Sequence, residues 1–399
     1  MSNRPEQPSA RPYRDGHRTS HWGVLVGSVL CVLALVVTAL YGWRIGWFAS
    51  MTGNDAAASS ATADAARNTP QQLARSAAPK PDPSPASKAH RMVNAMDMDT
   101  RIGQLVMAPL YAGNAPASLS SLIADRHVGS VLIIGKWTGG VASVRAAADQ
   151  LQGYAPGDNR LIISTDQEGG WVQHLTGPGF DRMPTAVDQG TMSTNQLRQS
   201  ASVWGSQMAA AGINVDLAPV LGTVVANRAA NAPIGALYRD FGLDAEGNAA
   251  HGTAFVQGMA DAGVQSAIKH YPGLGAVTDN TNFTADGILD TTTTLDGTEI
   301  KAFDTTIDQA NPAMVMMALA TYQAIDPNNP AVFSSIIIDG HLRGDLGYDG
   351  VVISDSMSAA AVSAYDTTQL GVKLVEAGGD LACIGYTNYV APILDGLST

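Results

Sequence analysis

The sequence has few cysteines, few charged residues and no surplus of basic ones, and each shortage excludes a class of protein. Its two cysteines, Cys31 and Cys383, lie far apart, so a framework of disulfide bonds is not expected. Acidic residues outnumber Lys and Arg by 35 to 23, and because phosphate binding needs a basic face, no nucleic-acid partner is expected. Hydrophobic residues make up 45% of the 399 positions, enough to bury the core of one large domain.

A long uncharged run lies near the N-terminus. From Gly23 to Trp43 the chain carries no charged residue, and about 20 apolar residues suffice to cross a bilayer as a helix. Arginines precede the run and aromatic residues flank it, as expected when the N-terminus faces the cytoplasm. The sequence therefore predicts a cytoplasmic segment at 1–21, a transmembrane anchor at 22–43 and a domain outside the cytoplasmic membrane. A cleaved signal peptide is the alternative, although its apolar region is normally about 7–15 residues long.

The residues after this run contain few large apolar side chains. Ala, Ser, Pro and Thr dominate from about Asn54 to Ala89, a composition that buries too little apolar surface to order itself. The sequence therefore predicts a linker at 44–89 and a folded domain at 90–399. Such a linker would let the domain stand away from the membrane, within a cell wall.

Beyond residue 90, short apolar runs alternate with helical patterns, as is typical of parallel strands buried on both faces. Eight such runs favour a (β/α)8 TIM barrel, an α/β fold of roughly 250 residues. An open, doubly wound sheet is the alternative, but no Gly-rich phosphate-binding turn follows the first strand. Four intervening segments are predicted crossover helices, at 142–151, 195–211, 245–262 and 298–311. The predicted strands are 104–109, 129–134, 161–165, 213–217, 265–269, 313–318, 350–354 and 380–384.

Polar side chains stand at the ends of three of these predicted strands. Asp166 follows the third strand and Asp355 follows the seventh, while Lys269 and His270 end the fifth. In a barrel the carboxyl ends of the strands meet at one face, where catalytic residues lie. The sequence therefore predicts that these residues form a site at that face.

Three motifs that contain these residues resemble glycoside hydrolase family 3, most of all its single-domain bacterial β-N-acetylhexosaminidases. They are Asp166-Gln-Glu-Gly-Gly170, Lys269-His-Tyr-Pro-Gly-Leu-Gly275 and Val351-Val-Ile-Ser-Asp355. The resemblance runs from about Lys88 to the end of the chain and includes Gly212-Ile-Asn-Val-Asp-Leu-Ala-Pro-Val220. It implies a barrel that hydrolyses O-glycosidic bonds. No cofactor is expected, and no metal either, because the faintly calcium-like loop that begins at Asn282 has Thr293 where the terminal Glu should be.

The resemblance assigns roles residue by residue. It makes Asp355 the nucleophile, which attacks the anomeric carbon and forms a covalent glycosyl-enzyme, so that configuration is retained. Hydrogen bonds from Ser354 and the following loop are expected to keep the pKa of Asp355 low. Arg239 is matched through Arg239-Asp-Phe-Gly242, although it lies two residues further from Ile234-Gly235 than the family spacing. The implied substrate-binding residues are Asp166, Arg239, Lys269 and His270.

The loop after the fifth strand departs from the family. The hexosaminidases carry Asp-Ser-His there, and the histidine, oriented by the Asp, exchanges a proton with the leaving group. Here the triplet is Asp279-Asn280-Thr281, so Asp279 remains as the remnant of that dyad. A threonine hydroxyl is too weak an acid to replace an imidazole, whose proton transfer typically contributes about 10²–10⁴-fold. Asp279 or Asp286 could serve as the acid instead. Other departures are Leu274, Leu319, Gly222, Trp171 and His174.

These features support more than one function. The first is a retaining, β-N-acetylhexosaminidase-like glycoside hydrolase acting on cell-wall or other saccharides, such as peptidoglycan fragments. The second is a catalytically impaired family member that binds a saccharide or a protein partner, and the missing histidine motivates it. An unrelated chemistry on the same barrel is the third.

Overall fold

The computed structural model describes residues 84–157, 159–225, 227–284 and 288–399. The predicted cytoplasmic segment, the predicted anchor at 22–43 and the predicted linker up to residue 83 lie outside this part of the chain. Within the described ranges, no helix is long and apolar enough to cross a membrane.

Eight parallel strands of the described residues form one sheet, and each overlaps a predicted strand. We number them in chain order: β1 Val106–Tyr111, β2 Ser130–Ile134, β3 Ile162–Thr165, β4 Val215–Asp216, β5 Gln265–Tyr271, β6 Met314–Met317, β7 Val351–Ser354 and β8 Ala382–Cys383. The order across the sheet is β7-β6-β5-β4-β3-β2-β1-β8. A parallel bridge between Ile353 and Leu381 joins its two outer strands, so the sheet is nearly closed into a barrel. The open-sheet alternative was therefore wrong.

The four predicted crossover helices are present, with ends within two residues of the prediction. The connection between β6 and β7 was not predicted to be helical, yet Ile336–Asp345 forms a wide, π-type helix. The α-helices of the described residues are α1 Pro85–Ala95, α2 Met98–Gln104, α3 Ser120–Ala124, α4 Gly140–Gln152, α5 Ala186–Gln189, α6 Thr194–Ala210, α7 Ala245–Asp261, α8 Thr298–Ala310, α9 Thr367–Glu376 and α10 Val390–Leu397.

Short polar side chains define where the long helices begin. The hydroxyl of Ser193 accepts from the Gln196 N–H, and the Gln196 side chain bonds back to the Ser193 N–H, which is a capping box at the start of α6. Asp244 caps α7 and Asp366 caps α9 through their carboxylates. These caps satisfy N–H groups that have no partner within the helix, so each crossover starts at a defined residue.

The α1 helix crosses the predicted boundary of the folded domain at residue 90. It begins at Pro85, after Ser84, whose side chain accepts from the Ser87 N–H at 3.2 Å. Proline is favoured at the first helical position, because its φ is already helical and no N–H is lost there. The first five residues of α1 therefore lie in the segment assigned to the linker, and none of its side chains is buried.

The core has two layers, separated by the sheet. One buried cluster contains residues from the strands and their immediate ends, and no helix residue. It fills the inside of the barrel with side chains such as Met107, Leu132, Met316 and Ile353. The larger cluster joins the alternate strand residues to the helices outside. Because alternate residues point to opposite faces, the strands contribute apolar side chains to both layers, and Asp166, Lys269 and Asp355 stand at or just beyond strand carboxyl ends.

Candidate active site

A cavity of about 410 Å³ opens at the carboxyl ends of the strands. Apolar strand residues, among them Leu132 and Met316, form part of its wall, and loops that follow the strands complete it. The five residues that the sequence assigned to nucleophile and sugar binding all line it, namely Asp166, Arg239, Lys269, His270 and Asp355. The structure therefore brings them together, including Arg239, whose spacing differs from that of the family.

Lys269 lies at the floor of this cavity, between two carboxylates. Its Nζ is 2.5 Å from Asp166 Oδ1 and 2.6 Å from Glu168 Oε1. The side chain of Lys269 is buried, and burial alone would lower its pKa, but the two carboxylates raise the pKa above its ordinary value. Lys269 is therefore a fixed positive charge at neutral pH.

Glu168 pairs with a second cation, and sequence reasoning gave it no role. Arg239 holds it with two parallel bonds, from Nε to Oε2 at 2.9 Å and from Nη2 to Oε1 at 2.8 Å. Burial acts to raise the pKa of Glu168, but Arg239 and Lys269 together hold that pKa well below its ordinary value. Glu168 stands in the quoted motif Asp166-Gln-Glu-Gly-Gly170. Its place in the same strand-end motif as Asp166 was the signal in the sequence that could have identified it.

The Glu-Gly-Gly turn is shaped by backbone that a side chain would not tolerate. Gly169 has a φ of +97°, and a Cβ added there would lie 2.2 Å from the Pro184 carbonyl oxygen. The turn closes a short hairpin of Gln167–Gly169 with Val172–Gln173. The Gln167 amide fastens this hairpin, donating to Leu175 O at 2.9 Å and accepting from Leu175 N at 3.0 Å. Asp166 and Glu168 thus extend from a fixed turn.

The same hairpin carries His174 and Trp171, two of the departures from the family. His174 lines the cavity, and its Nε2 is 3.8 Å from Asp166 Oδ2. Trp171 is exposed to solvent. An imidazole therefore stands beside one of the predicted sugar-binding carboxylates. In the described part of the chain, no group of three or more His, Cys, Asp or Glu side chains is placed to hold a metal ion.

Asp355 directly follows β7 and lines the same cavity. Its Oδ1 accepts from the Ser356 N–H at 2.7 Å. Of the expected hydrogen bonds, the one from the following loop is therefore present, whereas the Ser354 hydroxyl accepts from the Cys383 N–H and makes no bond to Asp355 among the described residues. The expectation that these bonds keep the pKa of Asp355 low was wrong. Burial raises the pKa of Asp355 above its ordinary value, and the Ser356 N–H and the charges of Lys269 and Arg239 offset this in part.

His270 stands beside the predicted nucleophile, with its Nε2 3.9 Å from Asp355 Oδ2. Burial lowers the pKa of His270 well below its ordinary value, and the nearby Arg239 and Lys269 lower it further. The ring is therefore neutral at physiological pH. Its Nδ1 has no hydrogen-bond partner among the described residues. A neutral ring can donate one hydrogen bond and accept another.

The loop after β5 places Thr281 at the cavity and leaves Asp279 outside it. Thr281 is buried and lines the cavity, and its carbonyl accepts from the Ala361 N–H at 3.0 Å. Asp279 is exposed and is not among the residues of the cavity wall. Its assignment as a dyad remnant stays a prediction. Asp286 lies outside the described residues.

Asp216 at the end of β4 is a second buried acid without a role in the sequence assignment. It is fully buried, and its Oδ1 accepts from the Gln167 N–H at 2.9 Å. It therefore fixes the backbone between Asp166 and Glu168. Its Oδ2 has no partner among the described residues, and burial raises its pKa to about 8. The signal in the sequence that could have identified Asp216 is its position as the one acidic residue in the otherwise apolar run Val215–Val220.

Comparison with known proteins gives a consistent result. The model of the glycosyl hydrolase family 3 N-terminal domain matches residues 97–398. A β-hexosaminidase of Alkalilimnicola ehrlichii is 31% identical over 292 residues, which are 70% of this chain and 81% of that protein. A β-hexosaminidase of Mycobacterium tuberculosis is 31% identical over 297 residues, or 70% of this chain and 72% of that one.

Two solved structures of family 3 or hexosaminidase proteins also resemble the chain in sequence and in fold. A β-N-acetylhexosaminidase from Beutenbergia cavernae is 42% identical with a TM-score of 0.72, covering 75% of this chain and 92% of that one. A family 3 β-N-acetylglucosaminidase from a Paenibacillus species is 31% identical with a TM-score of 0.68, covering 76% and 58% of the two chains.

The raised pKa of Asp216 predicts how the stability of the Asp216→Asn variant, relative to the wild type, will change with pH. Between pH 3.8 and about 8 the folded protein keeps a proton on Asp216 that the unfolded chain has lost. The wild type therefore loses stability as pH rises through this window, by at most about 1.4 kcal/mol per pH unit. The variant cannot ionise and avoids this loss. Urea unfolding at pH 5 and pH 7.5 should show its stability relative to the wild type increasing with pH. An equal difference at both pH values would contradict this, and the exposed Asp308→Asn serves as control.

Proposed function

The chain belongs to glycosyl hydrolase family 3 and is a β-hexosaminidase-like glycoside hydrolase, and on this premise we propose that it releases a terminal N-acetylhexosamine with retention of configuration. Relatives named β-hexosaminidase and β-N-acetylhexosaminidase support this choice of sugar. Asp355 is the nucleophile in this proposal. Asp166, Arg239, Lys269 and His270 bind the sugar.

The observation that carries the proposal is the position of Asp355 in a cavity whose floor is otherwise built for a neutral polar ligand. Its side chain keeps 15% of its surface exposed, and it shares the cavity with Lys269, Arg239 and Asp166. Carboxylates accept from sugar hydroxyls, whereas Lys and Arg donate to them. A ring bound by these groups would lie against the Asp355 carboxylate.

The reaction follows two displacements at one carbon. An Asp355 oxygen bonds to the anomeric carbon as the bond to the leaving oxygen breaks, and that oxygen takes up a proton. Water then attacks the same carbon and gives up a proton, and the bond to Asp355 breaks. Two inversions restore the original configuration. Because Asp355 must be ionised to attack and its pKa is raised, the acidic limb of activity lies above that of an ordinary carboxylate.

Thr281 supports a second candidate function. The resemblance places the proton-transferring histidine at this position, and the threonine hydroxyl cannot replace it near neutral pH. A chain that retains the sugar-binding floor without the proton donor could bind a saccharide, or a protein partner, without turnover. The same observation predicts that an active enzyme would be slowest on substrates with basic leaving groups.

We further propose that the enzyme acts outside the cytoplasmic membrane, anchored by residues 22–43, on saccharides such as peptidoglycan fragments. The uncharged run Gly23–Trp43 and the Ala, Ser and Pro-rich residues up to Ala89 support this arrangement. The anchor would retain the enzyme at the cell surface, and the linker would extend its reach into the wall.

Covalent labelling tests the nucleophile. A 5-fluoro N-acetylglucosaminyl fluoride should leave a stable sugar adduct on the peptide that contains Asp355, because fluoride departs without a proton and Thr281 is then irrelevant. The Asp355→Asn variant should remain unlabelled. Peptide mass mapping provides the measurement. If the wild type binds N-acetylglucosamine but acquires no adduct, the non-catalytic function is the correct one, and an adduct on another residue would refute the assignment of Asp355.

The Thr281→His variant tests whether residue 281 is placed to protonate the leaving group. We expect turnover of an N-acetylglucosaminide with a poor leaving group, such as methyl, to rise by about 10²-fold, because an imidazole there can protonate the departing oxygen. The kcat/KM of the 2,4-dinitrophenyl glycoside should change little, because kcat/KM reports the first displacement and this leaving group departs without a proton. Steady-state kinetics on both substrates provide the measurement, with Thr281→Ser as control. Equal gains in kcat/KM on the two substrates, or none on the methyl glycoside, would show that residue 281 does not reach the leaving oxygen.

Membrane fractionation tests the anchor. The full chain should stay with membranes after alkaline carbonate extraction, and Leu33→Lys with Val36→Lys should release it, since each lysine costs about 2.5–3.5 kcal/mol at the centre of a span. The same substitutions made outside the run, at Ala57 and Ala58, are the control. Recovery of a mature chain whose N-terminus begins after residue 43 would instead establish a cleaved signal peptide.

A further inference from the structure

A group of titratable side chains lies outside the candidate site, where α8, the helix Ile336–Asp345 and the end of β5 meet. Its members are Asp304 on α8, His341 and Asp345 on the helix Ile336–Asp345, and Tyr271 at the end of β5. His341 and Tyr271 are buried. None of the four residues lines the cavity of the candidate site. The reaction proposed for that cavity therefore gives this group no role.

The contacts of His341 determine which of its ring nitrogens donates. Nδ1 is 3.0 Å from Asp345 Oδ2, and because an ionised carboxylate only accepts hydrogen bonds, Nδ1 is the donor. In a neutral ring the other nitrogen, Nε2, is then an acceptor. Nε2 is buried 3.9 Å from Asp304 Oδ2 and has no hydrogen-bond partner among the described residues. Two acceptors therefore face each other.

Asp304 has no other cation to balance its charge on this side of the barrel. Its Oδ1 accepts from the Tyr271 hydroxyl at 3.4 Å, while Oδ2 faces the ring of His341. Among the residues that the structure describes, no Lys or Arg forms an ion pair with Asp304 or Asp345. Burial raises the pKa of Asp304 to about 6, although His341 and the Tyr271 hydroxyl act to lower it. One proton between Oδ2 and Nε2 would turn two opposed acceptors into a hydrogen bond.

We propose that Asp304 and His341 share one proton and so form a pH-dependent clamp between α8 and the helix Ile336–Asp345. With the proton bound, Nδ1 of His341 donates to Asp345 and Nε2 is bonded to Asp304. Loss of the proton weakens the clamp, because a buried acceptor without a donor is disfavoured. The clamp joins β5, through Tyr271, to the helix that precedes β7, and it is strongest in acid. This inference does not rest on the proposed function.

Nitrogen NMR of the full chain, labelled with nitrogen-15 in its histidines, tests the proton directly. At pH 8.5 the ring of His341 should carry its proton on Nδ1. At pH 5 the Nε2 signal should move away from the position of a free acceptor, because Nε2 has gained a proton or a hydrogen bond. The His341→Gln variant identifies the signal. A proton on Nε2 at pH 8.5, or an Nε2 signal that is the same at both pH values, would overturn the proposal.

A double-mutant cycle tests whether the shared proton stabilises the fold. Asp304→Ala and His341→Ala, made singly and together, give the coupling between the two side chains in the folding equilibrium. Urea unfolding of the full chain should show this coupling to be about tenfold greater at pH 5 than at pH 8.5, as expected for a hydrogen bond to a charged group. Asp308→Ala, an exposed residue on α8, is the control and should not couple to His341→Ala. Equal coupling of Asp304 and His341 at both pH values would refute the clamp.

The Asp304→Asn variant provides a second test, which is decisive even where an alanine variant does not fold. The Asn amide can donate to Nε2 of His341 at any pH, so it imitates the protonated carboxyl group. Hydrogen exchange, corrected for the intrinsic effect of pH, would follow the peptides 298–310 and 336–345. In the wild type these helices should open about tenfold more at pH 8.5 than at pH 5, and in the variant equally at both. Wild-type opening that does not change with pH, or a variant that opens like the wild type, would contradict the proposal.

Discussion

The candidate site depends on a buried network of charges in which Glu168 is held by both Lys269 and Arg239. Two cations beneath a cavity would be strongly disfavoured alone, because charges removed from water need partners. Glu168 and Asp166 provide those partners. The network also joins the hairpin after β3, the loop after β4 and the end of β5, so the donors and acceptors proposed to bind a sugar are positioned before it arrives. Such preorganisation removes much of the cost of ordering side chains on binding.

The same network sets the electrostatic conditions for Asp355 and His270. Burial disfavours the charged form of both, but the positive field of Lys269 and Arg239 acts in opposite senses on them. It offsets part of the rise in the pKa of Asp355 and adds to the fall in the pKa of His270. The field of Lys269 and Arg239 therefore favours the ionised form of Asp355 and the neutral form of His270. The carboxylate can attack, while the imidazole can orient a ligand without competing as a cation.

The sequence predicted the features that follow from local pattern and missed those that depend on three-dimensional pairing. Eight strands could be counted because each is a short apolar run, and polar residues at the ends of three of them identified Asp166, Lys269 and Asp355. Glu168 and Asp216 were missed because their partners are distant in the sequence: Arg239 and Lys269 for Glu168, and the Gln167 N–H for Asp216. The helix Ile336–Asp345 was missed because its three isoleucines are β-branched and favour a strand. Ser354 was assigned to Asp355 by proximity in sequence, whereas the structure pairs its hydroxyl with β8.

The departures from the family touch both sides of the candidate site. The predicted sugar-binding residues Asp166, Arg239, Lys269 and His270 are kept, but His174, a departure, stands beside Asp166. Leu274 and Thr281 lie on the segment after β5. In a two-step mechanism, the need for a proton donor grows with the basicity of the leaving group, and the second step needs a base to activate water. In the proposed mechanism, the change at Thr281 therefore alters which leaving groups depart, and how fast water completes the reaction.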